Sequence, residues 1–298
     1  MSLTIRRLLF CTGIALIAAA GAWRFLLAPR WTQRIPPGWK WETTFIGAVG
    51  YADPASGVYP VKNPTSTYQR SVRAASELGR PASVRMQDRM TTLNPRTGKK
   101  EWEYISEALV NPASGAHADP RYRGDYYLFP RHVSKRAYRL RQNYLKGTPL
   151  AFEAEEEIAG LNTYVFSYRG AAEYTESFAG TADYPGVRVA PGQEIRCADH
   201  QFRFRIWVEP VTGETLKIEE SCWSGDTVYD ARTQRPVQPI VRWGGVVAGD
   251  AVTALAERAR AARARILAAE YLPGVLVLLG LTCAGLPLVR RKPRKVPA

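Results

Sequence analysis

A mainly β extracytoplasmic domain of antiparallel sheets, flanked by an N-terminal and a C-terminal transmembrane helix, is the fold class this sequence predicts. Three observations carry it. Near the end of the 298-residue chain, nineteen residues from Tyr271 to Val289 bear no charge; at about 1.5 Å of helical rise per residue they cross a bilayer's hydrocarbon. A shorter apolar run, Leu8 to Trp23, follows Arg6 and Arg7 near the start. Between them, Pro, Gly and Asn-Pro turn formers divide the chain into short aromatic and β-branched stretches, as antiparallel sheet requires.

Residues 1–29 read as an uncleaved anchor, with Phe25 to Leu27 prolonging the apolar run and Arg24 snorkelling beside Trp23. A cleaved signal peptide ending in the small residues Ala18 to Ala22 is the competing reading. Both export the middle of the chain. The tail, residues 290–298, holds Arg290, Arg291, Lys292, Arg294 and Lys295, and such a segment stays in the cytoplasm. The expected location is therefore the cell membrane, crossed twice, with both termini cytoplasmic and residues 30–249 outside. The formal charge of +14 shrinks once Arg6, Arg7 and the five tail cations are set aside, because 34 cations then face 27 acids. A remainder of about +7 suits a bilayer and an anionic envelope polymer and argues against nucleic acid.

Within the exported part, Trp41 to Tyr51 and Thr67 to Ala74 read as strands, and Ser83 to Leu93 pairs with Glu101 to Val110 around the Asn94 to Gly98 loop. Asn111 to Asp125 is loop by composition, with His117 expected as a solvated loop residue. The next stretch, Tyr126 to Tyr144, is basic and aromatic. Tyr126, Tyr127, Arg131, His132, Lys135, Arg136, Tyr138, Arg139 and Arg141 are its candidate binding residues, since guanidinium forks clamp anions and tyrosines stack on sugars. Against that stands a plain strand with solvated cations and core-facing rings. An acidic strand, Glu153 to Glu157, follows; Glu153, Glu155 and Glu157 are expected on one face and Glu156 on the other, then a turn at Gly160 to Asn162 and a strand from Thr163 to Tyr168. Glu173 to Gln193 is polar and irregular.

The clearest local pattern is a hairpin in which Phe202, Phe204 and Ile206 alternate with Arg203, Arg205 and Trp207. Its turn falls at Pro210 to Gly213, and Leu216 and Ile218 continue the alternation. Cys197 and Cys222 flank it and are expected to form a disulfide closing a loop of about 25 residues, for which chain entropy gives about 3 kcal/mol. Cys11 and Cys283 fall in the two apolar runs. A short strand pair, Thr227 to Tyr229 with Ile240 to Trp243, ends at Gly244-Gly245. From Asp250 to Glu270 apolar positions recur at spacings of three and four, which predicts an amphipathic helix running into the span at residues 271–289. Its alanine stripe allows packing against a second helix, so a homo-oligomer through the membrane helices is an open expectation. No cofactor or metal is called for, and no Gly-x-Ser-x-Gly, phosphate-loop or metal-ligand spacing is present.

In order along the chain, Asn94 to Gly98, Phe129-Pro130 with Tyr138, Gly160 to Phe166, and Trp207 to Gly213 resemble the actinobacterial porin PorA-like family of membrane-anchored proteins. The shared motifs are turns and strands, so the resemblance transfers no catalytic residue. Its name implies a pore; the residues point instead to a non-enzymatic, membrane-anchored binding or envelope-organising protein that holds a lipid or another envelope component. A porin-like channel subunit and an envelope glycan hydrolase using Glu residues of the 153 to 157 stretch are the alternatives.

Overall fold

The computed structural model describes residues 3–36, 38–51, 63–75, 83–93, 100–142, 145–170, 190–197 and 202–286. The Asn94 to Gly98 loop, most of the 173–193 segment, the last residues of the expected second span and the basic tail lie outside these. Two compact units divide the chain: Met1–Gln33 with Ala261–Ala298, and Arg34–Arg260.

The first unit is a pair of helices. Helix α1 (Leu3–Ala22) continues through a π-helical segment, Trp23–Leu27, into the single turn α2 (Ala28–Trp31). It packs on the second half of α3 (Gly249–Gly285), which runs unbroken through Pro273. Small residues decide the crossing. A Cβ at Gly13 would lie 2.5 Å from the Gly280 carbonyl oxygen and 2.7 Å from the Ala284 nitrogen, and one at Gly280 would lie 2.7 Å from the Gly13 carbonyl. Only glycine lets the two backbones approach so closely. Arg24 and Gly274 line one groove further along, so residues rise along one helix as they fall along the other. The helices are antiparallel. Leu3, Leu8, Phe25, Leu26, Leu278 and Leu281 are exposed, which is costly in water and natural in hydrocarbon.

The second unit is one antiparallel wall. Its strands are β1 (Lys40–Tyr51), β2 (Asn63–Ala75), β3 (Val84–Leu93), β4 (Lys100–Val110), β5 (Tyr138–Gln142), β6 (Leu145–Ile158), β7 (Leu161–Gly170), β8 (Gln193–Cys197), β9 (Phe202–Val208), β10 (Thr215–Asp230) and β11 (Pro236–Val247). The path runs β4-β3-β2-β1-β11-β10-β9-β7-β6-β5, with β8 beside the far half of β10. Its end strands, β4 and β5, are themselves linked by single-residue bridges, Val110 to His117, Ala116 to Tyr126 and Tyr126 to Leu140. The expected short pair after Asp226 is longer than its pattern suggested. Thr227 to Tyr229 is the end of β10, and Gly244-Gly245 sits inside β11 opposite Ala48 and Gly47. Glycine there serves close strand approach rather than a turn.

Alternating inward residues fill the wall. Phe45, Met86, Phe166, Phe202, Phe204 and Ile206 are among those that form a single cluster, which Leu255, Ala256 and Ala259 of α3 join. Phe129 lies 5.0 Å from Phe166 and 5.2 Å from Tyr138 by ring centroids, tying the chain between β4 and β5 into the core. One inward pair is ionic. Arg70 on β2 grips both carboxylate oxygens of Asp88 on β3 and is buried with it. Burial alone would lower the guanidinium's pKa, yet the charge and hydrogen bonds of Asp88 outweigh that and raise it above the usual arginine value. Outward faces are polar: Arg85 pairs with Glu107 and Arg89 with Glu103 across β3 and β4.

Gly280→Val is expected to destabilise the helix pair by about 1–3 kcal/mol, because a branched side chain would collide with the Gly13 carbonyl. Thermal unfolding of the full chain in detergent checks this. An unchanged midpoint would mean that the crossing is not set by these glycines.

Candidate functional site

The hairpin between β9 and β10 builds a rigid mount for one carboxylate. Its turn is closed by four hydrogen bonds: Gly213 N donates to Glu209 O at 2.8 Å, Glu209 N to Glu214 O at 2.9 Å, Thr212 N to Glu209 Oε2 at 2.7 Å, and Glu214 N to Thr212 Oγ1 at 3.0 Å. Gly213 has φ +72°, and a Cβ there would strike the Pro130 carbonyl oxygen. No other residue fits. The turn therefore fixes Glu214, which is only 8% exposed.

Two guanidiniums meet at that carboxylate. Arg34 Nη1 donates to Glu214 Oε1 at 2.9 Å, and Arg258 Nη2 donates to Oε2 at 3.0 Å. Burial alone would raise the Glu214 pKa, but Arg34 and Arg258 together bring it below the usual carboxylate range. Each arginine also holds backbone. Arg34 Nη2 donates to Gly213 O at 2.9 Å and Nε to Phe129 O at 3.3 Å, while Arg258 Nη1 donates to Lys40 O at 2.6 Å and its head lies 5.3 Å from the Trp39 ring centre. Arg34 is the first residue of the β unit and Arg258 sits on α3 near its last. One carboxylate thus holds the chain where it joins the wall and where it leaves.

The basic aromatic stretch is placed as a seam. Tyr126 bridges Ala116 and Leu140, donating its N–H to Arg139 O and accepting from Arg141 N, each at 2.8 Å. Tyr127 and Tyr138 are buried, and the Tyr138 hydroxyl accepts from Ser134 N at 2.9 Å. Arg139 and Arg141 both reach the buried Asp125, each through Nε at 2.8 Å, and Arg141 also lies 4.2 Å over Tyr122. Lys135 pairs with Glu155 and sits over Phe152 and Tyr164. The Arg136 head lies 4.9 Å over the Tyr138 ring. His132 is exposed with φ 50°, its N–H donating to Val211 O, so Arg131 and His132 stand at the hairpin turn. The nine candidates therefore fall in three places, and Lys135, Arg139 and Arg141 already face carboxylates. Nothing in the spacing revealed Asp125 as their partner.

His117 is not the solvated loop residue its surroundings predicted. It is half-buried between Tyr122 and Tyr127, and Arg141 O accepts from Nε2–H at 2.7 Å. Desolvation lowers its pKa and outweighs the opposing hydrogen bond to the Arg141 carbonyl; the Arg141 charge adds to the lowering, while Asp125 and Asp119 oppose it. The acidic strand also differs from expectation. The pairing register slips between Phe152 and Ala154, so Glu153 and Glu156 reach the same Arg205 rather than opposite faces. Glu156 Oε2 further accepts from Trp207 Nε1 at 2.7 Å. Hydrogen bonds from Arg205 and Lys135 hold Glu153 and Glu155 below the usual carboxylate range.

Cys11 and Cys283 are free, whereas Cys222 is buried and disulfide-bonded. The side chain of Cys197 lies outside the described residues, and so does the expected Cys197–Cys222 bond. Among the described residues, no three His, Cys, Asp or Glu side chains are grouped to hold a metal. In the helical unit, Arg24, Glu270, Pro273, Gly274, Val277 and Leu278 line an open groove of about 680 Å³.

A family model described as Porin PorA matches residues 6–289. No curated protein matches the chain. Among solved structures, one from Thermobifida fusca described as a thioesterase II aligns at 12% identity over 69% of this chain and 78% of that one, with a TM-score of 0.13. That similarity is too low to carry an argument.

Glu214→Gln keeps the shape but removes the charge that both arginines need. We expect a loss of about 3–5 kcal/mol, as for other broken buried pairs, read from denaturant unfolding. The His117 prediction concerns pH. An unfolded imidazole takes a proton near pH 6.5 while the folded one resists it. Stability is therefore fully present above about pH 6.5 and falls as pH drops towards the lower folded value. In His117→Gln the slope between about pH 7 and pH 5 should shrink, because carboxylates titrate lower; parallel profiles would exclude His117 as its source.

Proposed function

The chain belongs to the Porin PorA family, and from that premise we propose that it is a non-enzymatic, membrane-anchored envelope protein whose β unit works outside the cytoplasm. The observation that carries this reading is the Glu214 clamp, which binds the start of the wall to the helix by which the chain departs. A domain held at both ends in this way suits an organiser or carrier that must stay beside the bilayer. In this reading α1 with its π-helical extension and the second half of α3 are the two spans. Their antiparallel packing leaves both chain ends on one face, which the basic flanks assign to the cytoplasm. In this reading the component organised or carried beside the bilayer is a lipid or another envelope component.

A channel subunit is the second reading, and the family description favours it. The wall's outward ion pairs suit water rather than lipid, since a spanning barrel needs an apolar outer band. A pore would then have to come from assembled helices. Planar-bilayer recording with the purified full chain distinguishes the two; stepwise conductance would favour the channel. For the hydrolase reading, a general acid needs a raised pKa, and Glu153 and Glu155 are lowered, so these two do not suit that role.

Two measurements test the leading reading. In sealed cells, added protease should digest the β unit while leaving tags at both termini intact. Organic extraction of protein purified from its own membranes should release a stoichiometric lipid or envelope component; an empty protein would remove the carrier version.

A further inference from the structure

Positive charge collects at one end of the helical unit. Residues 23–33 and 261–270 hold Arg24, Arg30, Arg263 and Arg265 against Glu270 alone, four arginines to one acid and so an excess of three. Glu270 and Arg263 already have interaction partners within the protein. Arg24 and Arg265 are exposed, and among the described residues neither is hydrogen-bonded or ion-paired to a carboxylate. Height along the helices sets both at a headgroup layer. The uncharged run opens at Tyr271, six residues after Arg265, which puts Arg265 about 9 Å beyond the hydrocarbon at 1.5 Å of rise per residue. A headgroup layer is about 5–8 Å deep on each side, within reach of a side chain as long as arginine's. Arg24 approaches from below. It lies beside Pro273 and Gly274, just inside the boundary, where its stem can stay in hydrocarbon while the guanidinium turns to the phosphates. Trp23 and Trp31, packed edge to face at 5.3 Å, and the exposed Tyr271 mark the same boundary. In the topology proposed above this end is outside the cytoplasm, so the usual bias of cations to the inner face does not account for its arginines.

We propose that Arg24 and Arg265 form a docking collar for anionic phospholipids of the outer leaflet, their guanidiniums holding the phosphates of lipids packed around the helix pair. A guanidinium fork matches two phosphate oxygens at once. Selection is by net charge and not by the identity of the headgroup. An anionic lipid brings an uncompensated negative charge to a surface with three positive charges in excess, whereas a zwitterionic lipid also brings an ammonium that the same arginines repel. The inference rests on the two helices being membrane spans and not on what the β unit organises or carries.

The test is native mass spectrometry of the full chain in mild detergent, with equal amounts of phosphatidylglycerol and phosphatidylcholine sharing the same acyl chains. The unaltered chain should retain phosphatidylglycerol in preference. Arg24→Gln and Arg265→Gln should each lower the ratio of phosphatidylglycerol to phosphatidylcholine about fivefold, the factor expected for one cation at an anionic surface. The double variant should lose both factors. Arg24→Lys and Arg265→Lys keep the charge and should keep most of the ratio, which separates lost electrostatics from lost structure. The basic tail is the same in every chain, so the difference between chains carries the result, and far-UV circular dichroism confirms that each is folded. No preference in the unaltered chain, or a folded double variant with an unchanged ratio, would overturn the proposal. Alkaline carbonate extraction keeps the two readings apart. Release of the chain from its membranes would overturn the spans and the collar together, whereas a retained chain without lipid preference would overturn the collar alone.

Discussion

A buried carboxylate is expensive to desolvate, and Glu214 is tolerable only because two guanidiniums converge on it. That requirement works in both directions. Arg34 can be buried only where a fixed anion waits, and the anion is fixed only because Gly213 adopts a left-handed backbone and Glu209 and Thr212 close the turn around it. The start of the wall, the β9–β10 hairpin and the first turns of α3 are therefore held by one electrostatic node. Phe129 and Lys40 enter the same node through their carbonyls, so the turn organises segments far apart in sequence.

The seam between β4 and β5 meets a related constraint. An open antiparallel wall exposes unpaired N–H and C=O groups at both edges. Here residues Ala116, His117 and Tyr126 take up those groups, and Asp125 collects Arg139 and Arg141 beside them. The seam's cations are thus part of its own closure. Cation–π contacts from Arg136 and Arg141 cover tyrosine faces that would otherwise meet water. What looks in sequence like a binding stripe is, for these residues, the means by which the wall avoids an edge.

Different physics governs the helical unit. Its exposed leucines and phenylalanines have no place in water, and its helices are held by backbone approach at Gly13 and Gly280 rather than by an apolar core. Its charged groups stand at its margins, where Arg24 and Glu270 line one groove. The family match covers residues of both units.

Much of this architecture is local and was therefore legible in the sequence. Period-two alternation gave β9 and the first half of β10, turn formers gave the hairpins, and the uncharged runs with flanking cations gave the helices, because each depends on near neighbours alone. The length of β10 and β11 was less legible, since Gly244 and Gly245 signal a turn until the opposing Gly47 is seen to require them. His117 looked solvated among Pro, Gly and Asp, and only the folded seam surrounds it with Tyr122, Tyr127 and the Arg141 carbonyl. Alternation sets Glu153 and Glu156 on opposite faces, and a register slip turns both towards Arg205. The Glu214 node joins residues separated by 180 and 44 positions, and no periodicity encodes such a meeting. The sequence by itself determined what each segment could become, because propensity and patterning act over a few residues. Tertiary structure alone decided which charges meet, because burial and pairing depend on segments that only folding brings together.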